Sequence, residues 1–219
     1  MRTIYAIGDI HGMAGFHRLL LGKIVADAAR KPGQKKLVYV GDYVDRGPDS
    51  RGVVSTVMAG PPEGIDEQVC LMGNHEMMMI DHHSRVLPWL GWLTNGGMAT
   101  IASYRGHGTE LKEHLKWMEG LPLYHIDGRY LFVHAGIVPG IAIDKQRKRD
   151  MLWIRDRFLS SAADHGYTVV HGHTATDRLN HGNRIALDTS AWRTGVLTCA
   201  VLSEGMPMEV IDTSAEARQ

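Results

Sequence analysis

An α/β (α+β) fold, with two β-sheets packed as a central sandwich and helices on the outside, is what the sequence predicts. Three observations carry this expectation. The first half alternates apolar, β-rich runs with helical segments, and three of those runs end in Gly-Asp or Gly-Asn. The second half consists mainly of short strands joined by tight links. The chain has 219 residues, enough for one sizeable hydrophobic core. A single domain over residues 1–219 is expected, with a helical cap inserted at about 85–120.

The elements follow in order. TIYAIGD reads as a strand, and Phe16–Ala29 as a helix with apolar residues at helical spacing. KLVYVGD is the next strand, and Pro48–Met58 the next helix, because proline suits a first helical turn. QVCLMGN is a third strand, followed by a helix from about His75. This βαβαβα order predicts a mainly parallel sheet. The middle, from about Pro88 to Gly120, reads as helical and is rich in Trp, Gly and Met. LYHIDGRYLFVHAG reads as a hairpin turning at Asp127-Gly128. YTVVHGH, NRIALD, GVLTCAVL and MEVID add four strands, so the second half is expected to form a mixed or antiparallel sheet. The tail SAEARQ reads as frayed.

Composition narrows the function classes. Net charge is zero and charged residues make up 22% of the chain, so no broad basic face for nucleic acid or an anionic membrane is expected. No apolar run is long enough to span a bilayer, and MRTIYAIGD lacks the apolar centre of a signal peptide, which predicts a cytoplasmic protein. Cys70 and Cys199 lie in apolar runs and read as buried thiols, not as a disulfide framework. There are 13 histidines, and histidine is the commonest metal ligand, so their placement matters.

The polar residues at strand ends form a set: Asp9 and His11 in GDIHG, Asp42 in GDYVDRG, Asn74 and His75 in GNHE, His134 in HAG, and His171 and His173 in HGH. Carboxylates, imidazoles and an amide suit two neighbouring divalent cations. A metal pair needs a bridging ligand, and Asp42, on the strand between the others, is the candidate. Singly, a strand-end histidine is a structural residue and a Gly-Asp is a turn; the weight lies in five motifs in one order.

Together, GDIHG, GDYVDRG, GNHE, HAG and HGH resemble the signature series of the PPP-type metallophosphoesterases, the phosphoprotein phosphatase family, and span Gly8 to His173. The resemblance implies a metallophosphoesterase-like sandwich of two mixed sheets flanked by helices. It implies Asp9, His11 and Asp42 on a first metal, and Asp42, Asn74, His134 and His171 on a second. LWIRDRF resembles the stretch that supplies a phosphate-binding arginine in the smaller, bacterial-type members, here Arg155. Manganese is the metal the resemblance favours, with iron and zinc compatible with the same donors. Met72 precedes GNHE where eukaryotic members carry arginine, and their tyrosine-containing C-terminal loop motif has no match. HGNRIALDTSA resembles the bacterial branch, with Ser190 at a position expected to be glycine.

The chemistry assigns further roles. Two cations make a bridging water available as hydroxide near neutral pH and neutralise phosphoryl oxygens. Arg46 and Arg155 are expected to grip phosphate with planar hydrogen-bond forks. His75, beside a ligand, is the candidate general acid, and Asp45 is placed to hold its other nitrogen. His173 reads as a supporting residue and Glu76 as structural. Met77, Met78 and Met79 read as packing. His82 and His83 end that helix and read as a dipole contact or as exposed. His107, His114, His125 and His165 have no motif around them. Trp89, Trp92 and Trp117 read as packing of the cap, with a substrate-groove role as the alternative. The leading expectation is a phosphatase for phosphoserine and phosphothreonine in proteins, with phosphotyrosine possible. A dinucleoside polyphosphate hydrolase is the second expectation, and a non-catalytic metal-dependent binding protein the third.

Overall fold

The computed structural model describes residues 2–84 and 89–214, with the backbone alone of Trp89 and Leu90. The expected tail beyond Ser214, the start of the cap at 85–88 and the placement of the Trp89 side chain lie outside the described residues. The first elements are β1 (Arg2–Ile7), α1 (Ala14–Ala28), β2 (Gln34–Tyr39), α2 (Ser50–Met58), β3 (Glu67–Cys70) and α3 (Asn74–His83). The helical middle follows as α4 (Trp89–Trp92), a wide turn at Leu93–Gly97, α5 (Met98–Ser103) and α6 (Gly108–Glu119). Next come β4 (Tyr124–Asp127), β5 (Tyr130–Val133), α7 (Lys148–Trp153), α8 (Asp156–Leu159), β6 (Thr168–His171) and β7 (Arg184–Ala186). The chain closes with α9 (Ala191–Thr194), β8 (Thr198–Ser203) and β9 (Glu209–Asp212).

Both sheets are mixed. The first is ordered β3-β2-β1-β8-β9 and the second β4-β5-β6-β7. The parallel trio β1, β2 and β3 matches the βαβαβα reading. β8 and β9 do not join the other late strands. Instead β8 pairs antiparallel with β1, from Thr3↔Ser203 to Ile7↔Cys199. All six residues of β8 are buried, which requires cover on both faces, and the interior of the first sheet provides it.

Period-2 alternation sorts the side chains into layers. Ile4 and Ala6 of β1, with Ala200 and Leu202 of β8, face Tyr130, Phe132, Val170 and Ile185 of the second sheet. Tyr5, Ile7, Leu37 and Tyr39 point the other way, onto α1, α2 and α3. Leu131, Val133 and Val169 cover the outer face of the second sheet, beneath Met151 and Phe158. Burying side chains of this kind contributes ~1.5–3 kcal/mol each.

Local details depart from the sequence reading in four places. α1 begins at Ala14 instead of Phe16 and buries Ala14, His17, Leu20, Ile24 and Ala28, one helical face. Pro48 stands outside α2, because Asp49 takes the cap and its Oδ1 accepts from Gly52 N at 2.8 Å. The two-residue hairpin loop is Gly128-Arg129, with Asp127 paired to Tyr130 inside the strands. Cys70 is half-buried and accepts from Gln68 Nε2 at 3.2 Å; Cys199 is buried as expected.

Candidate active site

The strand-end residues converge. Asp9, His11, Asp42, Asn74, His134 and His171 are all buried at the ends of β1, β2, β3, β5 and β6. The backbone turns sharply there. Among the described residues, six that are not glycine have positive φ: His11, Asp42, Asp45, Arg46, His173 and Ser190. Five of these lie in GDIHG, GDYVDRG and HGH, and such conformations persist only where surrounding contacts enforce them.

Asp42 stands at the centre. Its Oδ2 lies 3.4 Å from His11 Nε2, and its Oδ1 lies 3.4 Å from His134 Nε2 and accepts from His75 N at 3.0 Å. Ligand atoms of Asp9, Asp42 and His134 fall within 4.8 Å of one another, as do those of His11, Asp42 and His75. Asp42 belongs to both trios, as a bridging residue requires. Asp9 Oδ2 accepts from His173 N at 2.9 Å, which ties it to the HGH loop. His75 stands beside His11 and Asp42.

The donor set fits divalent cations. His11 gives its Nδ1 proton to Val44 O and His134 gives its own to Val40 O, both at 2.9 Å. Each ring therefore turns an Nε2 lone pair inward. That of His134 lies 2.7 Å from Asn74 Oδ1, so both atoms are presented to the same point of the site. Burial disfavours a second proton: it lowers the pKa of His134 and takes that of His11 down to about 3. Asp9 Oδ1, His171 Nε2 and His173 Nε2 are buried without a hydrogen-bond partner. Burial, followed by the charges of Asp188 and Asp42, pushes the Asp9 carboxyl well above its usual pKa. Burial would also raise Asp42, but the surrounding His134, His75 and His11 hold it low.

Beside this cluster His75 donates from Nδ1 to Asp45 Oδ2 at 2.7 Å. Burial opposes a charge on His75, but Asp42 and Asp45 outweigh it and raise its pKa. Arg46 reaches in from the surface, its Nη1 donating to His11 Nε2 at 2.7 Å and its Nη2 lying 3.0 Å from His75 Nε2. Arg155 is exposed at the start of α8 and donates from Nη1 to Thr174 Oγ1 at 3.0 Å, next to the HGH loop. His173 donates from Nδ1 to Asn74 Oδ1 at 2.9 Å, so it ties Asp9 to Asn74. Glu76 accepts four backbone amides: Asp42 and Gly73 on Oε2, Tyr43 and Val44 on Oε1.

The remaining readings sort as follows. Met78 and Met79 are buried in the core; Met77 is half-buried. His83 donates from Nδ1 to Met79 O at 2.8 Å, and the rings of both His82 and His83 lie against Trp92. Trp117 packs near Tyr43, with ring centres 5.7 Å apart. Sequence reasoning read Trp92 as packing and missed its bond to Asp45; it also missed Thr100, which bonds Asp45, and Asp188, which accepts from Ser190 N at 2.8 Å. It also missed two exposed indoles at the rim. Trp192 lies under the Arg46 guanidinium at 5.4 Å, and Trp153 meets the His173 ring edge-on at 6.0 Å. No local pattern marks Trp92, Thr100, Trp153 and Trp192, whose partners lie far away in sequence, and Asp188 bonds within its own turn.

Known proteins share this architecture. Residues 2–194 match the calcineurin-like phosphoesterase family. A serine/threonine-protein phosphatase 1 of Salmonella typhimurium is 30% identical over 214 residues, covering 91% of this chain and 91% of its own length. A symmetrical bis(5'-nucleosyl)-tetraphosphatase of Nitrosospira multiformis is 32% identical over 143 residues. That match covers 65% of this chain and 46% of the relative, so the chain spans about half of its length. Among solved structures, a cold-active protein-tyrosine phosphatase of a Shewanella species superposes with a TM-score of 0.63. It is 18% identical and covers 96% of this chain and 80% of that one, a likeness of fold alone. A family match over residues 2–194, and a relative aligned along nearly the whole of both chains, lead to one conclusion: this chain belongs to the calcineurin-like phosphoesterase family.

Proposed function

We propose that this phosphoesterase hydrolyses phosphate monoesters on proteins, phosphoserine and phosphothreonine foremost, with two divalent cations and manganese as the working metal. Proteins of this family use two divalent metals, and the facing donors around Asp42 fit that use. One observation carries the choice of substrate: His75 stands 3.9 Å from Asp42 with its far nitrogen held by the buried Asp45. A serine or threonine alkoxide is a strong base and leaves only with a proton, so a monoester of this kind needs an acid. A nucleotide phosphate leaving a polyphosphate is a weak base and needs far less help.

The residues divide the work accordingly. Asp9, His11, Asp42, Asn74, His134 and His171 would hold the metals, with Asp42 central among them. Bound there, the cations supply positive charge to phosphoryl oxygens and acidify water. Arg46 and Arg155 grip the phosphate from the open side. His75 gives a proton from Nε2 to the leaving oxygen, and Asp45 keeps the ring in line through Nδ1.

The rim supports a second reading. Trp192 and Trp153 are 43% and 41% exposed, and indoles of this kind offer stacking faces for a nucleobase. With relatives named as tetraphosphatases, this favours a dinucleoside polyphosphate hydrolase. Turnover by metal-stripped, manganese-reloaded protein separates the two. The first reading expects a higher kcat/KM on phosphoserine peptides than on diadenosine tetraphosphate. The reverse order overturns it.

A further inference from the structure

The cap reaches the proton-donating pair directly. Asp45 is fully buried, and its carboxylate accepts three side-chain bonds. His75 Nδ1 and Trp92 Nε1 donate to Oδ2 at 2.7 and 2.8 Å, and Thr100 Oγ1 donates to Oδ1 at 2.6 Å. The Asp45 amide donates in turn to Thr100 Oγ1 at 2.9 Å and to Ser50 Oγ at 3.0 Å. Two of the three carboxylate donors thus come from the inserted helices, 47 and 55 residues further along the chain.

The segment between them is shaped for this contact. Arg46 N donates to Gly96 O at 3.2 Å. Gly96 has φ +107, and a Cβ there would come within 2.7 Å of Arg46 N. A Cβ on Gly97 would come within 2.6 Å of the Trp92 ring, so glycine leaves room for the indole to lie across the turn. Trp92, Gly96, Gly97 and Thr100 therefore sit on Asp45 and Arg46 as one piece.

We propose that the segment Trp92–Thr100 is a clamp that orients the proton donor, with Trp92 and Thr100 as positioning residues for Asp45. The proposal rests on the reading of His75 as the acid. A carboxylate gripped at both oxygens has one rotation and one direction to offer an imidazole. If either grip is removed, the carboxylate turns, the ring follows, and Nε2 leaves the line to the departing oxygen. The clamp acts on proton delivery alone, so substrates whose leaving group needs no proton are nearly insensitive to it.

The test uses Trp92→Phe, Thr100→Val, Thr100→Ser and His75→Asn at saturating manganese. For each, kcat, KM and metal content are measured on a phosphoserine peptide and on p-nitrophenyl phosphate. Trp92→Phe and Thr100→Val are each expected to lower kcat on the peptide about 10-fold, less than the ~10²–10⁴-fold that loss of the acid itself costs. On p-nitrophenyl phosphate the loss is expected to stay within about 2-fold, with KM and metal content unchanged. Thr100→Ser keeps the hydroxyl and is expected to keep the activity. Added to His75→Asn, Trp92→Phe is expected to do nothing further. An equal loss on both substrates, or a change seated in KM or metal content, overturns the clamp. Should Trp92→Phe fail to fold, the two Thr100 variants decide. If His75→Asn shows no leaving-group bias, the acid reading and the clamp fall together. If it shows the bias and Thr100→Val does not, only the clamp falls.

Discussion

Glu76→Gln separates shape from charge at the base of the site. In the native chain each carboxylate oxygen accepts from two amides. Oε2 receives Asp42 N at 2.8 Å and Gly73 N at 2.9 Å; Oε1 receives Tyr43 N at 2.8 Å and Val44 N at 3.3 Å. Glutamine keeps one oxygen and turns the other into an NH₂, a donor facing two donors. Whichever way the amide flips, two buried backbone N–H groups lose their acceptor. Each costs ~1–3 kcal/mol, so the variant should lose about 2–6 kcal/mol of stability. These amides hold Asp42 at its positive φ, so metal affinity should fall as well. The assay is urea denaturation of metal-free protein followed by circular dichroism, with a metal titration of both proteins. A loss below about 1 kcal/mol with unchanged metal affinity would show that the GDYV backbone finds other acceptors. Glu76 would then not be what holds the loop.

Three further outcomes are expected. Asp42→Asn keeps the shape but removes the one carboxylate charge the two trios share, so metal affinity should drop at least ~10²-fold and activity with it, while circular dichroism stays native; near-normal turnover with two metals bound refutes the bridging role. Arg155→Ala should weaken inhibition by inorganic phosphate about 10-fold and leave metal content unchanged, because a guanidinium fork acts on bound phosphate; unchanged inhibition places Arg155 outside the site. Ser190 has φ 54, so Ser190→Gly should raise stability by about 1 kcal/mol in a denaturant melt; a fall would mean that the serine side chain is itself a needed contact.

The ends of β1, β2, β3, β5 and β6 were legible in the sequence, because an apolar run followed by a sharp polar turn is a local signal. The motif residues around Asp42 could be named for the same reason. Pro48 misled because it suits a first helical turn, whereas the carboxylate cap of Asp49 decided where α2 starts. β8 reads as one more late strand, and nothing near it says that its partner is β1 rather than β7. Trp92 read as packing, which its burial supports, but its indole N–H carries a second role that depends on Asp45 lying beneath it. Asp188 and Trp192 were invisible for a related reason: a lone aspartate and an exposed indole gain meaning only from what the fold places beside them.

The site is also a seam. His134 of the second sheet donates to Val40 of the first across 94 residues, and His173 donates to Asp9 across 164. Neither contact exists until the two sheets have met. Closing loops of that length costs entropy before any contact repays it, and distant pairings slow folding. During refolding, helices and the local β4–β5 hairpin can therefore form while the pocket is still in two halves. Recovery of activity then reports the last large event in assembly, the docking of one sheet on the other, and a chain stalled before that event would look largely folded by circular dichroism yet turn over nothing.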